Sequence, residues 1–289
     1  MSDMMRQPDY DSPVALKAFL AENGMAMQKK FGQNFLVNGA ARRKIIDCLD
    51  VSDGAAVWEV GPGLGCMTGE ILSRGASVTA FEIDHGFARL LRSFFSDYAE
   101  RGLFSLVEGD VLKTWRKRYD ESGAPDRFFG NLPYNVAATI VADTINGGVR
   151  FEKAVVTVQK EVAQRMTAKE GTENYSSFSV LCQWAYGIRS VAELSGGNFW
   201  PVPNVVSRAV LLTRRDDFPR CESPELFMRM IRRLFSSRRK TVRNNLLALA
   251  GAERADRALE SAGIAPSVRA ESLGVDALLR LSDALALTM

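Results

Sequence analysis

The sequence is poor in the residues on which several kinds of chemistry depend. Its 289 residues include a single histidine, His85, and four cysteines. One imidazole leaves little room for a histidine-based zinc site or for Ser-His-Asp catalysis. Cys48, Cys66, Cys182 and Cys221 show no C-x-x-C spacing and are too sparse for a disulfide framework. That usage suits a reducing compartment and predicts a cytoplasmic protein without a metal site. Long apolar runs are missing as well: every hydrophobic stretch meets a charge before the ~20 residues a bilayer span requires. No membrane partner is expected, and the opening MSDMMRQPDYDS has no apolar segment of the signal-peptide kind. Net charge is small, 37 Lys and Arg against 34 Asp and Glu, and neither requires nor excludes nucleic acid. The remaining composition, 46% hydrophobic and 25% charged, excludes dominant disorder. The length suits one large domain, or a large one with a smaller companion.

Periodicity divides the chain. Residues 12–24 read as a helix with Ser12 as N-cap and Pro13 at its first position. The basic, glycine-broken KKFGQNFL (29–36) is irregular, and Asn38 then caps a helix with Ala41, Ile45 and Leu49 on its apolar face. From 55 the pattern alternates. Strands are predicted at 55–60, 77–82, 104–108, 127–130 and 154–158, with helices near 67–73, 86–95 and 136–146. Two further strands are predicted at 187–194 and 207–213. Short apolar strands alternating with helices specify βαβ units, hence a mostly parallel sheet with helices on both faces. The polar, proline-punctuated RRDDFPRCESP (214–224) is a linker, and everything after it has helical spacing.

Glu59-Val-Gly61-Pro-Gly63-Leu-Gly65 lies between the first of these strands and a helix. Glycines there allow a sharp turn and close approach to a ligand. A dinucleotide fingerprint needs glycine at 66, where the chain has Cys66, so the loop suits a ligand without pyrophosphate. By itself such a loop is equally a plain tight turn. Glu82 ends the second strand, where nucleotide folds place the acid that holds ribose hydroxyls. Asp110 ends the third and can accept from an adenine amino group. Either acid alone could be a helix cap; together, at consecutive strand ends beside the loop, they describe an adenosine pocket. This combination resembles the S-adenosyl-L-methionine-dependent methyltransferases.

After the fourth strand stands Asn131-Leu132-Pro133-Tyr134. Methylating an exocyclic base amine means recruiting a lone pair that is delocalised into the ring. The Asn131 side-chain oxygen and the Leu132 carbonyl could accept the two amine protons, with Pro133 fixing the backbone. Tyr134 could stack on the base. Chemistry driven by positioning needs no titrating base. The same tetrapeptide also suits a turn with a core tyrosine.

With KKFGQNFL, the glycine loop, Glu82, Asp110 and NLPY, the chain resembles the ribosomal RNA adenine dimethyltransferases. VQKEVAQRMTAKEG (158–171), FWPVPNVVS (199–207), FSSRRKTVRNNL (235–246) and RAESL (269–273) extend the likeness from about 29 to the end. The resemblance implies a Rossmann-like class I methyltransferase sheet over 29–215, an N-terminal extension over 1–28 and a small all-α RNA-binding domain over 216–289. It implies S-adenosyl-L-methionine as cofactor, lined by Gln33, Asn34, Leu36, Glu59, Gly61, Gly63, Glu82, Asp110 and Asn131. Asn131, Leu132, Pro133 and Tyr134 would meet the target adenine, and Phe199 would supply a second aromatic face. A basic residue usual in the family is replaced by Asn204. The implied substrate is two adjacent adenosines near the 3′ end of small-subunit ribosomal RNA, within an immature 30S-type subunit, and nothing demands more than a monomer. Two alternatives stand beside it: a large-subunit methyltransferase of the macrolide-resistance type, and an assembly factor whose methylation is secondary.

Charge segregates despite the small total. No acid occurs between Leu226 and Ala252, where Arg229, Arg232, Arg233, Arg238, Arg239, Lys240 and Arg243 accumulate; Lys29 and Lys30, with Arg42, Arg43 and Lys44, form a second cluster. Such runs are commonly solvated helix faces, but here they predict a phosphate track. Arg269 and Glu271 read as a structural pair.

Overall fold

The computed structural model describes residues 7–25, 33–133 and 136–288. The chain forms two compact units: Met1–Asp143, Val149–Ala163 and Arg189–Thr213 in the first, and Thr144–Gly148, Gln164–Ile188 and Arg214–Met289 in the second.

The chain begins with α1 (Pro13–Glu22), β1 (Phe35–Leu36) and α2 (Gly39–Leu49). The alternating region runs β2 (Ala56–Val60), α3 (Cys66–Ser73), β3 (Ser77–Glu82), α4 (His85–Phe94), α5 (Ser96–Glu100), β4 (Phe104–Glu108), α6 (Val111–Ser122), β5 (Arg127–Asn131), α7 (Ala137–Asn146) and β6 (Lys153–Gln159). Then follow α8 (Lys160–Thr167), α9 (Ser177–Ala185), β7 (Tyr186–Leu194), β8 (Phe199–Trp200) and β9 (Ser207–Arg214). The last four helices are α10 (Pro224–Phe235), α11 (Val242–Ala250), α12 (Ala252–Ala262) and α13 (Val275–Ala286).

Caps written in the sequence start the helices. The Ser12 hydroxyl accepts from Ala15 N ahead of Pro13, Asn38 accepts from Ala41 N, and Asp84 accepts from Gly86 N and Phe87 N. The sheet has the order β4-β3-β2-β5-β6-β9-β7 among the described residues. β4 through β6 pair in parallel, and β9 joins β6 antiparallel with Val156 opposite Val210. β3 and β6 are apolar runs buried on both faces, as helix-covered parallel strands must be. Strand order reverses at β2, which has β3 on one side and β5 on the other. In such sheets ligands bind at that switch, beyond the strands' carboxyl ends.

The units correct the single boundary near 216. Residues 164–188 join the C-terminal helices because α9 packs on α10 and α13. The Tyr175 hydroxyl donates to the Leu273 carbonyl at 3.0 Å, and the Trp184 indole N–H donates to the Pro219 carbonyl. Of the helical apolar positions expected beyond 224, Leu226, Met230, Leu234, Leu246, Leu278, Leu279 and Leu281 are buried in the second unit, Leu249 and Ala250 are half-buried, and Leu247 is exposed. Residues 7–25 are no loose extension either: they belong to the first unit, with Leu16 and Leu20 buried.

Candidate active site

Where β2 to β5 end, their loops enclose a cavity of about 380 Å³, within the usual range for small-molecule sites. The glycine loop forms one side and Gln33–Leu36 another, and Glu82, Ile83, Asp110, Val111, Asn131 and Pro133 are among the residues that line the rest. Gln33, Asn34, Leu36, Glu59, Gly61, Gly63, Glu82, Asp110 and Asn131 all line it.

Glycine is required in the loop for steric reasons. Gly63 has φ of +58°, and a Cβ there would lie 2.9 Å from the Phe35 ring; at Gly65, φ +81°, it would lie 2.6 Å from the Phe95 ring. The Gly63 N–H donates to Glu82 Oε2 at 3.2 Å, and Asp84 N donates to Oε1 at 2.9 Å. Each Glu82 oxygen therefore retains acceptor capacity toward the cavity. Burial raises the Glu82 pKa to about 7, against backbone hydrogen bonds from Asp84, Gly63 and Ile83, which lower it. Burial raises Glu59 to about 7 as well, although the Thr68 hydroxyl donates to it at 2.6 Å. Asp110 has two employments: it caps α6, accepting from Leu112 N at 3.0 Å, and it faces the cavity.

The Asn131 amide Nδ2 donates to the Asn34 carbonyl at 2.8 Å, across 97 residues. That bond fixes the amide's orientation where Asn131 lines the cavity. Leu132 follows with its N–H on the Thr157 carbonyl, and the Pro133 carbonyl accepts from Val136 N and Ala137 N, starting α7. Tyr134 lies outside the described residues, as do Lys29 and Lys30. Phe199 opens β8. It is 2% exposed and sits in the main core with Leu36 and Leu211. The β1–β8 ladder explains this, pairing Leu36 with Phe199 and Phe35 with Trp200. Side chains alternate along the strand, so Phe199 turns inward while Trp200 stacks on Phe35 at 6.2 Å.

Two cations of the acid-free run are occupied by acids from elsewhere in the second unit. Arg238 donates to Glu271 at 3.1 Å and to the Glu173 carbonyl, and Arg243 makes a two-pronged pair with Asp256. Glu271 thus pairs with Arg238, whereas Arg269 was its expected partner. Arg239 and Lys240 are exposed and form no ion pair among the described residues. In the first unit Arg42 is 8% exposed and leaves the basic cluster altogether. The cavity also includes Tyr10, Leu16 and Ile83, which motif reading passed over. Ile83 had a legible signal, an apolar residue directly after a strand-ending acid; it is 42% exposed.

The family model described as ribosomal RNA adenine dimethylase matches residues 24–287. The chain belongs to this family. Its curated relatives include "Ribosomal RNA small subunit methyltransferase A" of Treponema denticola, 46% identical over 96% of this chain and 95% of that one. The protein of the same name from Streptococcus pneumoniae is 33% identical over 97% and 98%. Among solved structures, a dimethyladenosine transferase from Plasmodium falciparum shares the fold at TM-score 0.71, with 22% identity over 84% of this chain and 94% of that one. The 23S rRNA methyltransferase ErmE aligns at TM-score 0.63, with 25% identity over 87% and 99%. As a member of the family the chain is an rRNA adenine dimethyltransferase, of the class that uses S-adenosyl-L-methionine. The cavity suits that group: paired glycine-loop amides, a carboxylate with spare acceptor capacity, and an exposed apolar Ile83 beside Asp110. Among the described residues no cluster of His, Cys, Asp or Glu could hold a metal, and no helix is long and apolar enough to cross a membrane.

Proposed function

We propose that the chain dimethylates the exocyclic amines of two adjacent adenosines in a hairpin near the 3′ end of small-subunit ribosomal RNA. Its substrate in this reading is an immature 30S-type subunit in the cytoplasm, engaged by a monomer. The observation that carries the chemistry is the Asn131 amide, which lines the cavity and is pinned there by the Asn34 carbonyl.

When bound, S-adenosyl-L-methionine supplies an electrophilic methyl on a sulfonium. Glu82 accepts from the ribose hydroxyls, Asp110 accepts from the adenine amino group, and Ile83 covers a face of that ring. Gln33, Asn34 and Leu36 close over the ligand. For the target base, Asn131 Oδ1 and the Leu132 carbonyl accept the two amine hydrogens. The nitrogen lone pair is thereby turned out of conjugation and aimed at the cavity. Pro133 fixes the backbone that carries the Leu132 carbonyl, and Tyr134 offers the base a ring to stack on. No side chain need remove a proton in the rate-determining alignment, which fits a chain whose only histidine is 88% exposed at the side chain and paired with Glu108.

Sequence likeness favours the small subunit over the large. Relatives named for small-subunit methylation reach 46% identity, against 25% for the 23S enzyme. The assembly-factor alternative predicts that an Asn131 variant still binds immature subunits and retains them. Asn131→Ala is expected to lower turnover by ~10²-fold through misalignment of the amine, while affinity for S-adenosylhomocysteine changes only a few-fold. Turnover within threefold of the unaltered chain would remove Asn131 from the mechanism.

A further inference from the structure

Residues 7–23 lie outside the matched family region, yet the structure builds them into the cavity wall. The Tyr10 hydroxyl donates to the Leu64 carbonyl at 2.7 Å, a bond to the glycine loop from 54 residues away. Leu16 and Leu20, four apart on one face of α1, pack with Leu64, Phe87 and Leu90, and Tyr10 and Phe35 lie against them. Next to Tyr10, the Asp11 carboxylate accepts from Arg42 Nη2 at 2.6 Å, while Arg42 Nη1 donates to the Leu36 carbonyl at 2.9 Å. One buried guanidinium thus joins the N-terminal segment to the strand that follows Gln33 and Asn34. The cation that sequence grouped with an RNA-facing patch is a bolt in the cavity wall.

The position of this segment along the cavity follows from its neighbours. Tyr10 is close enough to Cys66, Arg42 and Glu59 to feel their charges, and burial pushes its phenol pKa up, so it remains a hydrogen-bond donor at neutral pH. The residue whose carbonyl it holds, Leu64, stands between Gly63 and Gly65 of the glycine loop. We propose that Tyr10 is a cofactor-positioning residue and that α1, latched by Asp11–Arg42, closes the amino-acid end of the S-adenosyl-L-methionine site. The Tyr10 hydroxyl holds the Leu64 carbonyl, and with it the loop backbone from Gly61 to Gly65 against which the ligand's amino-acid portion rests. The inference depends on the cofactor reading of the cavity.

Isothermal titration of the full chain with S-adenosylhomocysteine and with 5′-methylthioadenosine, which lacks the amino-acid portion, tests it. Tyr10→Phe keeps the ring and removes one neutral hydrogen bond, so S-adenosylhomocysteine is expected to bind about fivefold more weakly. Binding of 5′-methylthioadenosine is expected to change less than twofold. KM for S-adenosyl-L-methionine should rise by the same factor, with kcat at saturation nearly preserved. Asp11→Asn, on the exposed side of the latch, should act in the same direction without disturbing the core. Lys17→Ala, on the exposed face of α1, should change neither affinity. Equal weakening toward both ligands, or none toward either, overturns the proposal. An unaltered chain that binds neither ligand overturns the cofactor reading itself, and the proposal with it.

Discussion

The Glu82 carboxylate illustrates how one residue's surroundings set the pH response of the site. Burial outweighs the backbone N–H groups of Gly63, Ile83 and Asp84 from which it accepts, so its pKa stands at about 7 against an ordinary 4.5. In the proposed reading ribose hydroxyls donate to the charged form, so ligand binding would lower that pKa and be favoured once Glu82 is ionised. Affinity for S-adenosylhomocysteine should therefore strengthen as pH rises through about 7, and Glu82→Gln should flatten the profile; a slope unchanged in that variant would assign the titration elsewhere. Folding responds with the opposite sign. A carboxyl whose pKa is raised in the folded state holds its proton there when the unfolded chain has lost it. Glu59 and Glu82 should thus make stability fall as pH rises from 4.5 to about 7, measurable by urea titration at several pH values. Phe199 shows the limit of reading a motif residue by residue. Its proline-flanked setting is visible in sequence, but which way the ring turns is decided by the register that opposes it to Leu36. Phe199→Ala should cost about 3–5 kcal/mol of stability; a loss of base recognition with unchanged stability would contradict its place in the core.

At the level of elements, β3 and β4 were legible to the residue, because short apolar strands bounded by charges and glycine have few alternatives. α6 was not. VLKTWRKRYDES is largely charged and buries only Trp115 among its residues, so its apolar periodicity is slight and the Asp110 cap is its main signal. The two-residue β1–β8 ladder is likewise invisible locally, since only tertiary pairing defines it. The basic run divides for a similar reason: an acid-free stretch of sequence says nothing about the acids that folding delivers from residues 256 and 271. Within the 235–246 stretch, Arg239 and Lys240 are exposed and form no ion pair among the described residues, so we propose them as phosphate contacts. Replacing both by glutamate should reduce the slope of log affinity against log salt by about 2, whereas Arg243→Gln should leave it unaltered, because Arg243 is engaged by Asp256. Equal effects from the two changes would return Arg243 to the phosphate track.

Across the whole molecule, the first unit holds the cavity, the acids and the pinned asparagine, and the second is a helical core whose surface carries unpaired cations. The doubly wound class and the residues of the cavity could be read from sequence because strand ends, glycines and acids recur in a fixed order. The N-terminal segment could not, because its hold on the glycine loop is one hydroxyl and one guanidinium meeting partners far away in sequence. The measurement that bears most directly on the function supplies labelled S-adenosyl-L-methionine with unmethylated small subunits, large subunits and the bare RNA of each, and maps the labelled base. Two labelled methyls on each of two adjacent adenosines near the 3′ end of small-subunit RNA are predicted; label confined to large-subunit RNA would contradict the account.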